Sequence, residues 1–502
     1  MKRRIAILEL LALPDTRPVN IFYHLLLTKQ YASIMPQTIS VWCRQLGHHV
    51  HYATYYGLGD PLRRIPPDVD MVFLSCYTQA SPLAYALSKI LRKRGVLTVL
   101  GGPHAKSFPR DASRFFDYVV QECDRPLIVA LLKGDHDPGS ILCSKHPPAE
   151  FPLVEERLDE IKHASFFFER RRFPSTTIAL LSSLGCPYAC NFCIDWKSEY
   201  RTMPTDRLMQ DLRFIGQNFP GTFIAFHDPN FAIKFDDTLA ALESQEPGAR
   251  LPYIMESSLS VLKPARMARL RATNCIFAAP GIESWDDYSN KANGAAKRGA
   301  VKVASVAAQF GELHDYVPNL QANFIFGLDT DCGDEPIELT KLFMDKAPFV
   351  WPTINIPVPF GGTPLFDQLK SQDRILAAMP FRFYYAPYSV TRIRNYDIRA
   401  YYRKLIELFE FGTSLSMIGR RSAHHRAKME KSVDAARALS TRLETRHYRR
   451  ILGELETNSE LRDFHEGRSR RLPAFYQQEY GRGLGRYAAM LDDGDRTPVL
   501  EM

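Results

Sequence analysis

Thr176-Thr-Ile-Ala-Leu-Leu-Ser-Ser-Leu-Gly-Cys-Pro-Tyr-Ala-Cys-Asn-Phe-Cys-Ile-Asp-Trp196 joins a short apolar run to three closely spaced cysteines. Thr176–Ser183 reads as a buried strand, bounded by small and turn-forming residues. Cys186, Cys190 and Cys193 follow at once with the spacing C-x3-C-x2-C, and Phe192 stands just before the third. Thiolates are the usual protein ligands of iron–sulfur clusters, and a cubane has four irons. Three thiolates would leave one iron open to a small molecule. The alternatives are a zinc site or three unrelated buried thiols. Structural zinc takes four ligands, usually in paired cysteine or Cys/His groups. No second pair follows here.

Working outward, residues 176–375 alternate between strand and helix patterns. Further candidate strands are Thr222–His227, Tyr253–Ser257, Cys275–Pro280, Gln321–Gly327 and Thr353–Pro357. Six β/α units predict a partial (β/α)6 barrel of the TIM type, with the cysteine loop at the carboxyl end, where barrel chemistry resides.

Residues 1–135 alternate in the same way. Strands are expected at Ile5–Leu10, His49–Tyr55, Met71–Ser75, Val96–Leu100 and Asp117–Val120, with helices near Pro36–Leu46 and Leu83–Arg94. This predicts a Rossmann-like, doubly wound parallel sheet that takes ligands at its carboxyl edge. Residues 136–175 read as a linker with one amphipathic turn near Val154–His163. Residues 376–502 read as a helical C-terminal domain, with Tyr402, Leu405, Ile406 and Phe409 at helical spacing. Its aromatics, Phe381, Phe383, Tyr384, Tyr385 and Tyr388, are expected mostly in core packing. Roughly the last 15 residues are expected to fray.

The composition sets wide bounds. Apolar residues make up 45% of 502, ordinary for a globular chain with a large core. A net charge of +8 at this length does not call for nucleic acid. No apolar run is long enough for a membrane span. Glu9 interrupts the N-terminal apolar stretch, which reads as a strand and not as a targeting segment. Nine cysteines without regular pairing fit a reducing compartment and a cytoplasmic location.

The cysteine loop resembles the signature of radical S-adenosylmethionine (SAM) enzymes, and the resemblance runs on for about 200 residues. Phe226-His-Asp-Pro-Asn-Phe231 resembles the D-D-x-F segment of cobalamin-linked members. Met255-Glu-Ser-Ser-Leu-Ser260 ends the third strand. Gly281-Ile-Glu-Ser284 resembles the G-I-E-S element, with Lys291 near a common family lysine. Phe324-Ile-Phe-Gly-Leu-Asp329 and the run from Pro357 to Leu365 resemble the F-I-F-G-L and P-x-P-G-T-P-L elements. The resemblance implies a 4Fe–4S cluster on Cys186, Cys190 and Cys193, with SAM on the open iron. It implies SAM contacts from Phe192, Asp228, Asn230, Ser258, Glu283 and Gly327. A helix or turn cap is the plain alternative for Asp228 and Glu283.

A Rossmann-like domain ahead of such a barrel resembles the cobalamin-binding radical SAM class. Ser75, Gly101, Gly102 and His104, in Leu74-Ser75 and Gly101-Gly-Pro-His-Ala105, carry that likeness. The D-x-H-x-x-G motif of histidine-ligated cobalamin proteins is absent, which argues against histidine ligation. Gln121-Glu-Cys-Asp124 replaces the usual G-E-G-E. The expected activity is cobalamin-dependent methyl transfer to an unactivated carbon of a small molecule, with an external electron donor such as flavodoxin or ferredoxin. A radical cyclisation, rearrangement or oxidoreduction without methyl transfer is the alternative, and a non-catalytic cluster or zinc protein the third. No catalytic side chain is nominated.

Overall fold

The computed structural model describes residues 2–15, 24–25, 28–146, 148, 150–166, 172, 176–286, 298–425 and 428–501. Lys291 lies outside the described residues.

Six strands make the first sheet: β1 (Arg4–Leu10), β2 (His49–Tyr55), β3 (Met71–Cys76), β4 (Leu97–Gly101), β5 (Tyr118–Glu122) and β6 (Ser140–Cys143). Their order is β2-β1-β3-β4-β5-β6, and every pair is parallel. Along β1, Ile5 and Ile7 face one core with Trp42 and Phe73. Ala6, Leu8 and Leu10 face another with Leu83, Leu87 and Leu100. Burial on both faces is what a sheet covered by helices on each side requires. The strand order reverses between β1 and β3, the point at whose carboxyl ends such sheets take ligands. The sixth strand comes from the stretch read as linker. Its residues alternate between exposed and half-buried, so it lacks the apolar run that marks a central strand.

The connector fastens the two halves. Arg157, fully buried, donates to Gln37 Oε1 in the helix Ile34–Gln45 and to the carbonyl of Ala179 in the barrel, at 2.8 and 2.9 Å. Glu160, on the helix Leu158–Ser165, accepts from Ser40 Oγ at 2.6 Å and from Arg44.

The second sheet comprises β7 (Thr177–Leu180), β10 (Phe223–Phe226), β11 (Tyr253–Ser257), β12 (Cys275–Glu283), β13 (Asn319–Ile325) and β14 (Val350–Asn355). They pair in chain order and all in parallel, with β7 and β14 at the two free edges. This is the partial barrel expected. A two-stranded antiparallel ribbon, β8 (Ser183–Leu184) with β9 (Arg201–Thr202), stands between β7 and β10.

Helices at Ile398–Gly412, Leu415–His424, Lys428–Thr457, Ser459–His465 and Ala474–Leu484 form the C-terminal part. Phe381, Phe383, Tyr384 and Tyr388 are buried, while Tyr385 is partly exposed. The tail does not fray. Asp492 and Asp495 form a capping box, Asp495 pairs with Lys89, and Arg114 donates to the carbonyls of Gly494 and Thr497. Its charged, Gly- and Pro-containing composition reads as solvated. The complementary charges lie on the first domain, hundreds of residues away in sequence.

Candidate functional site

The cysteine loop leaves β7 and is closed at its base by the β8–β9 ribbon. Gly185 opens it with φ of +64°, and a Cβ there would lie 2.2 Å from the carbonyl oxygen of Glu199. Only glycine fits both the backbone region and the space. Inside the loop, Cys193 N–H donates to the carbonyl of Cys190 at 3.1 Å, and Trp196 N–H to that of Cys193 at 3.0 Å. The N–H of Asp195 points at Cys193 Sγ, 3.4 Å away. Cys186 and Cys190 are buried and Cys193 half-buried. A backbone donor on a sulfur favours the thiolate and tunes a cluster. Phe192 is half-buried against the main core. Among the described residues, no three His, Cys, Asp or Glu side chains gather as ligands of one ion. A cubane asks for something different, because each thiolate takes a separate iron. Three thiols on one short glycine-pinned loop, one already receiving an N–H, fit that group.

The strand ends beside the loop form two hydrogen-bonded systems. In the first, Asp228 is buried and accepts from Ser182 N–H at 3.0 Å, and from Ser182 Oγ and Ser183 Oγ at 2.6 Å each. Burial pushes its pKa up, against those hydrogen bonds. Asp228 therefore holds the chain as it enters the cysteine loop. In the second, Tyr188 of the loop is 2.6 Å from Ser260 Oγ, which is 2.9 Å from Ser258 Oγ. Asn230 Nδ2 donates to Ser258 at 3.4 Å. Asn230 Oδ1 is buried and makes no hydrogen bond among the described residues. The tips of β10 and β11 are further tied by Phe231 N–H to the Glu256 carbonyl and by Ser257 Oγ to the Phe231 carbonyl.

Glu283 ends β12 at a register shift, buried, with φ of +65°. Its carboxylate folds over Gly281, whose added Cβ would meet Oε1 at 2.2 Å. A non-glycine residue in this region is held there by its surroundings. Gly327 has φ of +109°, and the space beside it is filled by the Tyr401 ring, 2.8 Å from an added Cβ. Tyr401 also donates to the Phe326 carbonyl at 2.6 Å. A small cleft of about 40 Å³ lies next to Gly327 and includes Asn191 of the loop. Arg374 lines both it and a larger cleft of about 570 Å³ in the C-terminal part.

In the first domain, Ser75 pairs in register with Gly101. Gly102, at φ of +86°, lies so close that a Cβ would meet Ser75 Oγ at 2.7 Å. Ser75, Gly101 and Gly102 thus share one narrow turn at the carboxyl ends of β3 and β4. The glycine lets the β4 turn pack directly on the end of β3, and this keeps the turn low beside the β1–β3 reversal, where sheets of this order take ligands. His104 is elsewhere. It is fully buried, 2.5 Å from Tyr85 OH, and burial lowers its pKa to about 3. It is thus a neutral core histidine, held between Tyr85 and Thr78.

Lys106 joins the two regions, and sequence reasoning did not single it out. Its Nζ is 2.8 Å from Glu122, 3.3 Å from Asp195 and 3.4 Å from Ser198 Oγ. Burial opposes its charge, but the two carboxylates outweigh that and hold its pKa above the ordinary lysine value. No periodicity or motif marks it. Its partners lie on a neighbouring strand and in the cysteine loop. Tyr188 was likewise missed, although it sits inside the cysteine motif.

No family model matches the chain. It is similar to the bacteriochlorophyllide d C-8(2)-methyltransferase of Chlorobaculum tepidum, 24% identical over 361 residues, covering 68% of this chain and 77% of that protein. It is similar to the hopanoid C-3 methylase of Methylococcus capsulatus, 25% identical over 407 residues, covering 74% and 75%. Among solved structures it superposes on the radical SAM methyltransferase TsrM of Kitasatospora setae with cobalamin and a 4Fe–4S cluster bound. The TM-score is 0.53 at 13% identity, over 77% of this chain and 76% of that one. The cobalamin-dependent SAM radical enzyme OxsB with aqua-cobalamin bound gives a TM-score of 0.58 at 14% identity, over 99% and 77%. The structural likeness carries the fold.

Proposed function

From the premise that the chain is an enzyme of the cobalamin-binding-domain-containing radical SAM superfamily, we propose that it methylates an unactivated carbon of a small-molecule substrate. The observation that carries the reading is the joining, through Lys106, of a three-cysteine loop at a barrel's carboxyl end to a parallel sheet with a glycine turn at its own. When bound, the 4Fe–4S cluster supplies the electron that splits SAM into methionine and a 5′-deoxyadenosyl radical, and cobalamin supplies methyl-transfer chemistry.

The chain's own residues bind and orient. Cys186, Cys190 and Cys193 would hold the cluster, with the Asp195 N–H steadying the Cys193 thiolate. Asn230 Oδ1, buried without a partner among the described residues, offers an acceptor to an N–H of the SAM amine. Ser258, Ser260 and Tyr188 fix that amide's orientation relative to the loop. Glu283 would add a second acceptor, and Phe192 and Gly327 would bound the site. Ser75, Gly101 and Gly102 would receive cobalamin against the backbone, with no side-chain ligand. A one-electron carrier of the flavodoxin or ferredoxin kind would supply the reductant. All nine cysteines are free of disulfides, which suits a reducing, cytoplasmic setting.

The methyl-transfer reading draws support from relatives named as a C-8(2)-methyltransferase and a C-3 methylase. A relative named as an anaerobic magnesium-protoporphyrin IX monomethyl ester cyclase, 20% identical over 66% of this chain, favours a second reading, ring closure without methyl transfer. The test is anaerobic. The protein is reconstituted with iron, sulfide and hydroxocobalamin, desalted, and given SAM and dithionite together with candidate substrates. 5′-Deoxyadenosine and S-adenosylhomocysteine together, with a methylated product, are expected. 5′-Deoxyadenosine with a cyclised product and no S-adenosylhomocysteine would replace methyl transfer by the second reading.

A further inference from the structure

The turn after β4 is wired to the far end of the chain. Tyr85 OH donates to Asp111 Oδ2 at 2.6 Å and is 2.5 Å from His104 Nε2. His104 Nδ1 is 3.4 Å from Thr78 Oγ1. Asp111 Oδ1 accepts from the backbone N–H of Val499 and from Arg114, both at 2.8 Å. Tyr85, His104 and Asp111 are all buried, with exposures of 2% or less.

Proton counting gives this chain one direction. Tyr85 has one hydroxyl proton and gives it to the carboxylate. It must therefore accept from His104, so the neutral imidazole carries its proton on Nε2. Nδ1 is then an acceptor, and Thr78 is its donor. Thr78 follows β3 and His104 follows Gly102, so the chain ends on the two segments that flank the Ser75–Gly101–Gly102 turn. Each oxygen of Asp111 has a separate duty: one holds the turn, the other the tail.

The tail is held independently. Lys89 pairs with Asp495, and Arg114 donates to the carbonyls of Gly494 and Thr497. Lys370, on the barrel helix Pro364–Ser371, donates to the carbonyl of Leu500 at 2.7 Å. Just upstream, Arg486 and Tyr487 both hold Asp60 of the first domain. The segment thus spans from barrel to first domain, with Leu491 and Leu500 packed on the core, and its Val499 N–H reaches the buried Asp111.

We propose that Asp111 is a positioning residue for the cofactor turn of the first domain, and that the C-terminal segment Leu491–Glu501 is the strap that sets it. The proposal rests on the reading that this turn receives cobalamin. Losing the strap's hydrogen bond leaves one oxygen of a buried carboxylate short of a donor and frees the His104 chain to shift. The turn then loses its preset shape, and ordering it falls on the ligand.

Hydroxocobalamin is titrated into full-length protein, with retention read from its visible spectrum after desalting. Val499→Pro removes the N–H, Val499→Ala keeps it, and Asp111→Asn removes the charge and sets an NH2 against a donor, since the carboxylate accepts at both oxygens. Val499→Pro and Asp111→Asn should bind about tenfold more weakly, the loss expected for one charge-assisted hydrogen bond. Val499→Ala should bind like the wild type. Iron content and dithionite-driven 5′-deoxyadenosine formation should not change in any variant, which separates positioning from a general loss of structure. Unchanged cobalamin affinity in Val499→Pro and Asp111→Asn overturns the proposal. If the wild type retains no cobalamin, the reading beneath it fails. Hydrogen exchange over residues 99–106 then decides the strap alone: faster exchange in Val499→Pro upholds it, and equal exchange refutes it.

Discussion

Tyr188 OH lies 2.6 Å from Ser260 Oγ, which links the middle of the cysteine loop to the end of β11. Through Ser258 the link reaches Asn230 on the tip of β10. The loop is thus braced against two barrel strands by hydroxyls, and at the end of the series Asn230 Oδ1 makes no hydrogen bond among the described residues. Tyr188→Phe should lower stability by about 1 kcal/mol, the net worth of one such bond. Paired with Ser258→Ala in a double-mutant cycle, it should show coupling of about 0.5 kcal/mol or more, since both belong to one network. Chemical denaturation of the apo-protein measures both, and strict additivity would dissolve the network.

Cys186→Ala, Cys190→Ala and Cys193→Ala should each abolish the cluster chromophore and 5′-deoxyadenosine formation. Cys143→Ser and Cys332→Ser, at exposed thiols, should leave both intact. Iron and sulfide analysis after anaerobic reconstitution distinguishes the two groups. Equal loss in both groups would remove the cysteine loop from the site.

Gly185→Ala should cost about 3 kcal/mol or more, because strain at positive φ adds to a clash that backbone atoms cannot easily relieve. The opposing atom is the main-chain oxygen of Glu199. The same change at Gly134, where φ is +84° and nothing lies within 4 Å, should cost only the conformational strain. Comparing cluster content in the two variants tests whether the loop's base sets the spacing of the thiols.

Glu9 gives a pH dependence. It is fully buried at the end of β1, and burial raises its pKa from 4.5 to about 7, against hydrogen bonds from Ser33. Between these values the folded chain holds a proton that the unfolded chain releases. Stability from this group is therefore fully present below about pH 4.5 and falls as the pH rises through 7. The loss should be about 3 kcal/mol, since each tenfold difference in proton affinity between the folded and unfolded chain is worth about 1.4 kcal/mol. Urea unfolding at pH 5 and pH 8 should show it in the wild type and not in Glu9→Gln. A parallel slope in the variant would assign the effect to other groups.

Asp228→Asn should weaken the entry to the cysteine loop. The carboxylate accepts from two hydroxyls and an N–H, and an amide can accept at only one of its two heavy atoms. A loss of about 2 kcal/mol is expected for disrupted bonds to a buried carboxyl group, read from chemical denaturation. Reduced cluster retention on desalting should accompany it. Full stability with lost SAM binding would instead place Asp228 against the cofactor.

Much of this protein is legible in one dimension. Strand–helix alternation, the apolar faces of β1 and β3, and the cysteine spacing are local patterns, and local patterns report the periodicity of the backbone that carries them. They gave both parallel sheets, the six-stranded barrel and the position of the cysteine loop after β7. The edge strand Ser140–Cys143 escaped because half its residues face solvent. The ordered tail escaped because its partners, Lys89, Asp111 and Arg114, lie almost 400 residues away. The roles of individual polar residues were also decided in three dimensions. His104 stands in a motif at a sheet's carboxyl edge, yet its side chain turns into the core toward Tyr85. Gly327 leaves space that Tyr401 fills. Lys106 spans from one domain to the cysteine loop of the other. Sequence specifies where a side chain starts along the chain. Where its polar atoms end is set by which distant donors and acceptors burial brings within about 3 Å, the reach of a hydrogen bond.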